Sequence, residues 1–196
     1  MRLSSCLVQY FNEYLPQIKG TSEQSIKTYR QTFSLFLYFL GNYHSIKIKS
    51  LKIEHLSADA VLSFLHHLDT HRKNIVQTRN NRLAVIKSLA KMIRFLHPDK
   101  KHIAETILNI PQKRAQKKIM GFLYPDEIMK VFKAVDLKKK EGMRDYTILH
   151  LLYDSGARAS EIATLDLDYF DPRNETIAVL CKWNRYRLIN LWPKTA

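Results

Sequence analysis

Several residue types are scarce in this chain of 196 residues. Five Gly and six Pro are too few for collagen-like or turn-rich β architectures, so the composition favours helices. The two cysteines, Cys6 and Cys181, match no metal-ligand spacing and no disulfide framework, which predicts a reducing compartment. The longest apolar run, at residues 33–40, is interrupted by Ser34 and falls far short of the roughly 18 residues that a membrane span needs. With no secretory signal visible, we expect a cytoplasmic protein without membrane association.

Acidic residues are also few. The chain has 32 Lys and Arg against 18 Asp and Glu, which gives a net charge of +14. The excess is concentrated between His71 and Lys118, where thirteen basic residues stand beside only two acids, Asp99 and Glu105. Clustered positive charge indicates a binding face for a polyanion, and nucleic acid is the leading candidate. The alternative is a basic surface that only keeps the protein soluble.

Apolar residues are plentiful, at 45% of the chain, and their spacing is helical over the first 110 residues. The periodicity predicts helices at about residues 1–20, 21–40, 57–68, 76–97 and 101–109. Gly20 and Gly41 are expected to end the first two helices, Ser57 to cap the third, and Pro98 to end the fourth. Residues 1–110 are therefore predicted to form a compact all-α domain.

A basic segment and a second domain follow. Residues 111–121 contain no acid, and their basic side chains, Lys113, Arg114, Lys117 and Lys118, predict an exposed linker that contacts nucleic acid. Residues 122–196 are predicted to begin with a helix at Pro125 and to continue with helices at about 143–155 and 157–165. Residues 176–180 and 186–191 are expected to form one β-hairpin.

The start of the longest helix carries candidate nucleic-acid contacts. They are side chains with amide, hydroxyl or basic groups: Thr78, Arg79, Asn80, Arg82 and Lys87. A helix amino end with such side chains suits the binding of a phosphate or the reading of a groove. The alternative interpretation is a capped helix start that faces only solvent.

The segment RDYTILHLLYDSGARASEIATL places Arg158 just after a glycine that should end an apolar helix. An arginine at the head of the next short helix is held by backbone, and its planar guanidinium is suited to grip two phosphate oxygens. Glu161, one helical turn later, is in position to orient Arg158. The alternatives are a plain surface arginine and an ordinary helix glutamate.

Lys182 lies at the tip of the predicted hairpin and is a candidate general acid. Loss of solvent would lower the pKa of its ammonium group towards a useful range. Arg185 and Arg187 flank it and are candidate contacts to a phosphate backbone. For all three side chains, the alternative is a solvated charge on an exposed turn or strand.

No metal or nucleotide site is predicted. His66, His67 and His71 cluster without carboxylates at ligand spacing, and no GxxxxGK[ST] string is present. Four tyrosines, Tyr29, Tyr38, Tyr146 and Tyr153, are assigned to apolar helix faces and are expected in the core.

Four strings of this sequence resemble the tyrosine recombinases, also known as the phage-integrase family. QTRNNRLAVIKSLAKMIRFL resembles the SAM-like core-binding domain, and IPQKRAQKKIMGFLYPDEI resembles the interdomain linker. RDYTILHLLYDSGARASEIATLDLDYFD resembles the box of the first catalytic arginine, and LCKWNRYRLINLWPK the hairpin of the catalytic lysine. The resemblance implies catalytic roles for Arg158 and Lys182, with Glu161 in support. It implies a mainly α fold, in which an all-α SAM-like domain precedes the truncated start of a mixed α+β catalytic domain.

The resemblance also implies an activity. Such enzymes bind double-stranded DNA and cut one strand through a 3′-phosphotyrosine, which conserves the bond energy, so no cofactor is implied. In the family a His-x-x-Arg box and the tyrosine nucleophile follow the hairpin, whereas only 14 residues follow Lys182. We therefore expect no nucleophile in this chain, incomplete catalysis by the chain alone, and monomeric DNA binding, although family members act as tetramers. The alternatives are a non-catalytic DNA-binding remnant or regulator that occupies recombination sites, and a helical RNA-binding protein.

Overall fold

The computed structural model of the chain describes residues 1–116, 121–181, 185–193 and 195. The chain divides into two compact units, Met1–Lys118 and Ile119–Ala196. The first unit, here called the helical domain, is all-α, and the second combines helices with a small antiparallel sheet. These observations confirm the mainly α fold with a mixed second part. Among the described residues, no helix is both long and apolar enough to span a membrane.

The helical domain is built on five α-helices. They are α1 (Leu3–Gln9, continued by π-helical turns over Tyr10–Ile18), α2 (Glu23–His44), α3 (Ala58–Thr70), α4 (Val76–Leu96) and α5 (Lys101–Leu108). Their apolar faces meet in one core, which includes Leu3, Phe36, Leu40, Phe64, Leu89 and Ile107. Two predicted signals are confirmed. Gly20 follows the first helix in a left-handed conformation with φ +61°, and Ser57 Oγ caps α3 by accepting a hydrogen bond from Ala60 N at 3.1 Å.

The prediction that Gly41 ends the second helix is wrong. Helix α2 runs on to His44, and Ser45 ends it in a left-handed conformation with φ 55°. Gly41 is instead buried where the segment from Ile46 to Ile48 approaches the helix closely. A Cβ at this position would lie 3.2 Å from the carbonyl oxygen of Ile46 and 3.3 Å from Ile48 Cγ1. Glycine is needed at this position because a side chain would crowd these atoms, and not because the backbone angle is unusual.

The second unit contains three helices and three strands. The helices are α6 (Pro125–Lys133), α7 (Lys140–Ser155) and α8 (Ala159–Ile162), and the strands are β1 (Phe170–Asp171), β2 (Thr176–Cys181) and β3 (Arg185–Asn190). The sheet is antiparallel in the order β1-β2-β3, and Val179 pairs with Arg187. The predicted hairpin is confirmed. The additional strand β1 was missed because two residues are too few to show alternation.

Two of the four tyrosines predicted in the core are exposed. Tyr38 is 67% exposed because it lies two residues from both Phe36 and Leu40, which puts it on the opposite side of α2 from those core residues. Tyr153 in α7 is 42% exposed and packs edge-on against Trp192, with ring centroids 5.8 Å apart. Both tyrosines therefore lie at the surface of their units.

Candidate active site

The connection between α7 and α8 fixes the position of Arg158. Gly156 ends α7 in a left-handed conformation with φ 57°, and its N–H donates to the carbonyl oxygen of Leu152 at 3.1 Å. Ala157 N then donates to Ser155 Oγ at 3.1 Å, and Arg158 takes the N-cap position of α8. The predicted glycine stop is confirmed. Because backbone hydrogen bonds define the reversal, the Cα of Arg158 is placed by local structure alone.

Glu161 holds Arg158 at two points. Its Oε2 accepts from Arg158 N at 2.8 Å, and its Oε1 accepts from Arg158 Nη1 at 2.6 Å. The Glu161 side chain is only 6% exposed, whereas that of Arg158 is 64% exposed. The buried carboxylate therefore fixes one edge of the guanidinium group and leaves its remaining N–H groups open to a ligand.

The charges of this pair reinforce each other. The pKa of Glu161 is lowered, mainly by the backbone hydrogen bond from Arg158, then by the side-chain bond, and further by the charges of Arg158 and Arg187. The pKa of Arg158 is raised in turn by its hydrogen bond to Glu161. Glu161 is thus kept ionised as a fixed acceptor for Arg158.

The sheet brings two more cations to the same side. Arg187 pairs with Val179, and Arg185 pairs with Cys181. Directly paired residues of an antiparallel sheet point to the same face. Val179 is fully buried in the cluster that includes Ile162 of α8, so this is the face of the sheet that packs on α8. Arg185 and Arg187 therefore lie on this face, and the charge of Arg187 acts on Glu161, since it lowers the pKa of that carboxyl group.

Three predicted site residues lie outside the described residues. Lys182 directly follows Cys181, the last residue of β2, and its proposed role as general acid remains a prediction. The same holds for the linker residues Lys117 and Lys118. Among residues whose structure is described, no group of three His, Cys, Asp or Glu side chains is placed to hold a metal ion.

Two of the five candidates in α4 line an open groove. Thr78 and Arg82 lie beside a cavity of about 190 Å³ between α2 and α4, together with the amides of Gln31 and Asn81. Arg82 Nη1 donates to Asn74 Oδ1 at 2.6 Å, and the pKa of Arg82 is lowered by burial and by the nearby charge of Arg72. The groove offers hydroxyl, amide and guanidinium groups, which suit contacts to a polar ligand.

The other three candidates in α4 contact groups of the helical domain itself: Arg79 contacts Asp69 and Asn80, whereas Asn80 and Lys87 contact the domain's carboxy-terminal segment. Arg79 and Asn80 are only 6% and 7% exposed. Asn80 binds the backbone of Lys113, and Lys87 Nζ donates to the carbonyl oxygen of Leu108 at 2.7 Å. Their polar groups are thus engaged within the domain, which the sequence did not indicate. Of the described linker cations, Lys113 is paired with Asp69 at 2.6 Å, whereas Arg114 is exposed.

Two family models match this chain in succession. The model described as "Phage integrase, N-terminal SAM-like domain" matches residues 8–97, and the model described as "Phage integrase family" matches residues 121–195. The chain belongs to the phage integrase family of tyrosine recombinases. In this family context, the helical domain corresponds to the SAM-like domain, and the unit with Arg158 corresponds to part of the catalytic domain.

Relatives of known name support this membership. This chain is 31% identical over 159 residues to the putative integrase/recombinase y4rD of Sinorhizobium fredii, with 81% of this chain and 57% of the relative covered. It is 28% identical over 168 residues to the tyrosine recombinase XerC of Staphylococcus carnosus, with 86% and 53% covered. The chain thus spans about half the length of these curated relatives.

A solved structure supports the fold. The XerH site-specific recombinase, in a pre-cleavage complex with its difH substrate, superposes with a TM-score of 0.66 at 18% identity. The match covers 98% of this chain and 56% of the XerH chain. At this identity, the likeness concerns the fold alone.

Proposed function

We propose that this chain binds double-stranded DNA and clamps the scissile phosphate in a tyrosine recombinase reaction. In that reaction one DNA strand is cut and rejoined through a 3′-phosphotyrosine. The observation that carries the proposal is the fixed guanidinium of Arg158, which is held by buried Glu161, a carboxylate that also feels the charge of Arg187. A guanidinium group held along one edge keeps further N–H groups for an anion with several oxygens.

The chemistry assigns a role to each group. When a tyrosine oxygen attacks phosphorus, the new O–P bond forms as the bond from phosphorus to the 5′ oxygen breaks. Negative charge grows on the non-bridging oxygens, and in this proposal Arg158 binds two of them. The leaving 5′ oxygen needs a proton, and Lys182 is the proposed donor. Glu161 acts through Arg158 and has no direct contact with the phosphate in this scheme.

The DNA duplex is proposed to contact both units. In the helical domain, the groove residues Thr78 and Arg82 supply polar and charged contacts, and the linker cations Lys113, Arg114, Lys117 and Lys118 add phosphate contacts. The net charge of +14 favours such binding at low ionic strength. The DNA-bound state of the XerH structure supports the same partner.

A second candidate function is DNA binding without cleavage. Tyr169, just before β1, and Tyr186 in β3 hydrogen-bond each other through their hydroxyls at 3.2 Å. By strand alternation, Tyr186 points away from the face of Arg185 and Arg187. The hydrogen bond to Tyr186 also raises the pKa of Tyr169, which makes its hydroxyl a poorer nucleophile. We therefore assign the attacking role to neither of these tyrosines, and the binding-only role applies wherever no attacking tyrosine is supplied.

Replacement of Arg158 by alanine tests the proposal. A pool of nicked duplexes would be incubated with the chain in a longer form that supplies the attacking tyrosine, and covalent protein–DNA products would be separated on a denaturing gel. We expect Arg158→Ala to lower the covalent product by about 100- to 1000-fold, because the charge on the transition state loses its clamp. Duplex affinity, measured by fluorescence anisotropy, should fall only a few-fold.

Arg144→Ala is the matched control. Arg144 is an exposed arginine of the same unit, 68% exposed, and pairs with Asp145 instead of Glu161. Its removal should change neither readout by much. A detectable covalent product that is equal with and without Arg158→Ala would refute the clamp. Duplex binding without any covalent product would favour the second candidate function.

A further inference from the structure

Asn80 in α4 joins two parts of the helical domain that are 33 residues apart. Its Nδ2 donates to the carbonyl oxygen of Lys113 at 2.7 Å, and its Oδ1 accepts from Lys113 N at 3.1 Å. One side-chain amide thereby satisfies both backbone groups of a single residue. We call this pair of hydrogen bonds the Asn80 clasp. Because Asn80 is only 7% exposed, water competes little for these bonds.

Neighbouring charges fix the orientation of the clasp. Arg79 Nη1 donates to Asn80 Oδ1 at 3.1 Å, so this oxygen receives two N–H groups and the amide has one favoured orientation. Asp69, near the end of α3, lies 3.6 Å from Arg79 Nε through its Oδ2. The same Oδ2 accepts from Lys113 Nζ at 2.6 Å. Helix α4 therefore holds the backbone of Lys113, and helix α3 holds its ammonium group.

A second contact on the same side of α4 holds the preceding segment. Lys87 lies seven residues after Asn80, which is two helical turns, and donates to the carbonyl oxygen of Leu108 at the end of α5. Ile110 between these points is 4% exposed and belongs to the core. The path from Leu108 to Lys113 is thus fixed at three places, and Arg114 is the first residue beyond it.

We propose that Asn80 is a positioning residue, whose clasp sets the point at which the basic linker leaves the helical domain. The sequence suggested that Asn80 contacts DNA, but its amide is already engaged by Lys113. Fixing the backbone at Lys113 restricts the position of Arg114, the next residue along the chain. Less conformational entropy is then lost when that cation meets a phosphate. This inference rests on the proposed function, since it assumes that the linker binds DNA.

Asn80→Leu tests the clasp, because leucine has a similar volume and makes no hydrogen bond. The rate of hydrogen exchange at the Lys113 amide would measure whether the clasp is intact. The rate of dissociation from a duplex of about 30 base pairs, the length of a specific site, would measure the effect of the clasp on DNA binding. We expect exchange at Lys113 to rise by about tenfold or more, with α2 amides unchanged. Duplex dissociation should become several-fold faster.

Ser88→Ala is the control. Ser88 lies in the same helix, is 5% exposed, and accepts a long-range hydrogen bond from Lys19 Nζ at 3.1 Å, but it does not touch the linker. It should destabilise the domain slightly while Lys113 exchange and duplex dissociation stay at wild-type rates. Asn80→Asp is the second test variant, to be used if Asn80→Leu does not fold. It keeps the acceptor for Lys113 N and loses the donor to Lys113 O, so an intermediate exchange rate is expected.

Two results would overturn the inference. One is unchanged Lys113 exchange in both Asn80 variants, which would show that the clasp does not hold the linker. The other is increased exchange with duplex dissociation equal to that of Ser88→Ala, which would show that anchoring does not affect DNA binding. Failure of the wild-type chain to bind any duplex would instead refute the proposed function, and the exchange rates would still decide whether the clasp anchors the linker.

Discussion

The helical domain and the second unit bury their apolar residues to different extents. In the helical domain, the side chains of Phe36, Leu40 and Phe64 are at most 1% exposed, within a core that spans all five helices. In the second unit, large apolar side chains such as Leu167 and Phe122 are 85% and 73% exposed. Its core among the described residues is a small cluster of Ala157, Ile162, Ile177, Val179 and Leu191, with partly buried neighbours. Less burial predicts a smaller free energy of unfolding for the second unit.

The two units also differ in how their polar sites are held. Arg158 and Glu161 are three residues apart, so hydrogen bonds within one helical turn define their geometry. The Asn80 clasp joins residues 33 apart and depends on the packing of α3, α4 and α5. A locally held site keeps its geometry on a weakly packed unit, whereas the clasp requires an intact core. The candidate active site and the linker anchor should therefore respond differently to core mutations.

The same substitution in each core gives the largest expected effect. Leu40→Ala removes a fully buried side chain from the helical domain and should cost about 4 kcal/mol of unfolding free energy. Leu191→Ala should cost about 2 kcal/mol, because Leu191 already lines a cavity of about 260 Å³ and has fewer neighbours to lose. Urea denaturation of both variants would measure the difference.

Two probes separate the units in this experiment. Both tryptophans, Trp183 and Trp192, lie in the second unit, so their fluorescence reports on that unit. Far-UV circular dichroism is dominated by the helical domain. We expect the fluorescence transition at the lower urea concentration, with Leu40→Ala shifting mainly the dichroism transition. Coincident transitions in the wild-type chain would contradict the comparison, because the units would then unfold together.

The reactivity of the two cysteines should also reflect the difference in burial between the two units. Cys6 is fully buried in the helical domain, and burial raises the pKa of its thiol to about 12. Cys181 is half-buried at the end of β2. At pH 8 we expect a thiol reagent to modify Cys181 at least about 1000-fold faster, since Cys6 reacts only when its domain opens.

Cys181→Ala provides the assignment for this measurement, because it should leave a single slow thiol. In denaturant, the two thiols should react at similar rates. Rapid modification of Cys6 in the folded chain would show that the helical domain opens far more often than its core indicates.

The features that could be predicted from the sequence are local ones. Gly20 and Gly156 end helices and Ser57 caps one because each acts on backbone groups within a few residues. The hairpin of β2 and β3 was likewise predicted from alternation and a short turn. The pairing of Arg158 with Glu161 was within reach for the same reason, since three residues on a helix are one turn.

The features that were missed depend on distant parts of the chain. The partner of Asn80 lies 33 residues away, and that of Lys87 lies 21 residues away. Nothing near either residue distinguishes a side chain that binds its own domain from one that binds DNA. Gly41 was misinterpreted because its role depends on the approach of Ile46, which helix periodicity does not reveal.

The smallest expected effect is a change in the salt dependence of DNA binding when one cation of each unit is removed. Lys113 Nζ in the helical domain is paired with Asp69 at 2.6 Å, whereas Arg185 in β3 has no ion pair among the residues that the structure describes. A cation that neutralises one phosphate contributes about 0.9 to the slope of log affinity against log salt concentration. Arg185→Ala should therefore reduce that slope by about 0.9, and Lys113→Ala by less than half as much.

Duplex binding at several salt concentrations would measure both slopes. Lys113→Ala keeps the backbone groups that Asn80 binds, so a change in its slope reflects only the lost ammonium. Arg114→Ala is a useful reference, because Arg114 is exposed and adjacent to Lys113 in the same linker. Equal slopes for Lys113→Ala and Arg114→Ala would show that Lys113 leaves Asp69 when DNA binds. The closed polar network of the helical domain would then be a property of the free chain, and the contrast between the units would disappear in the complex.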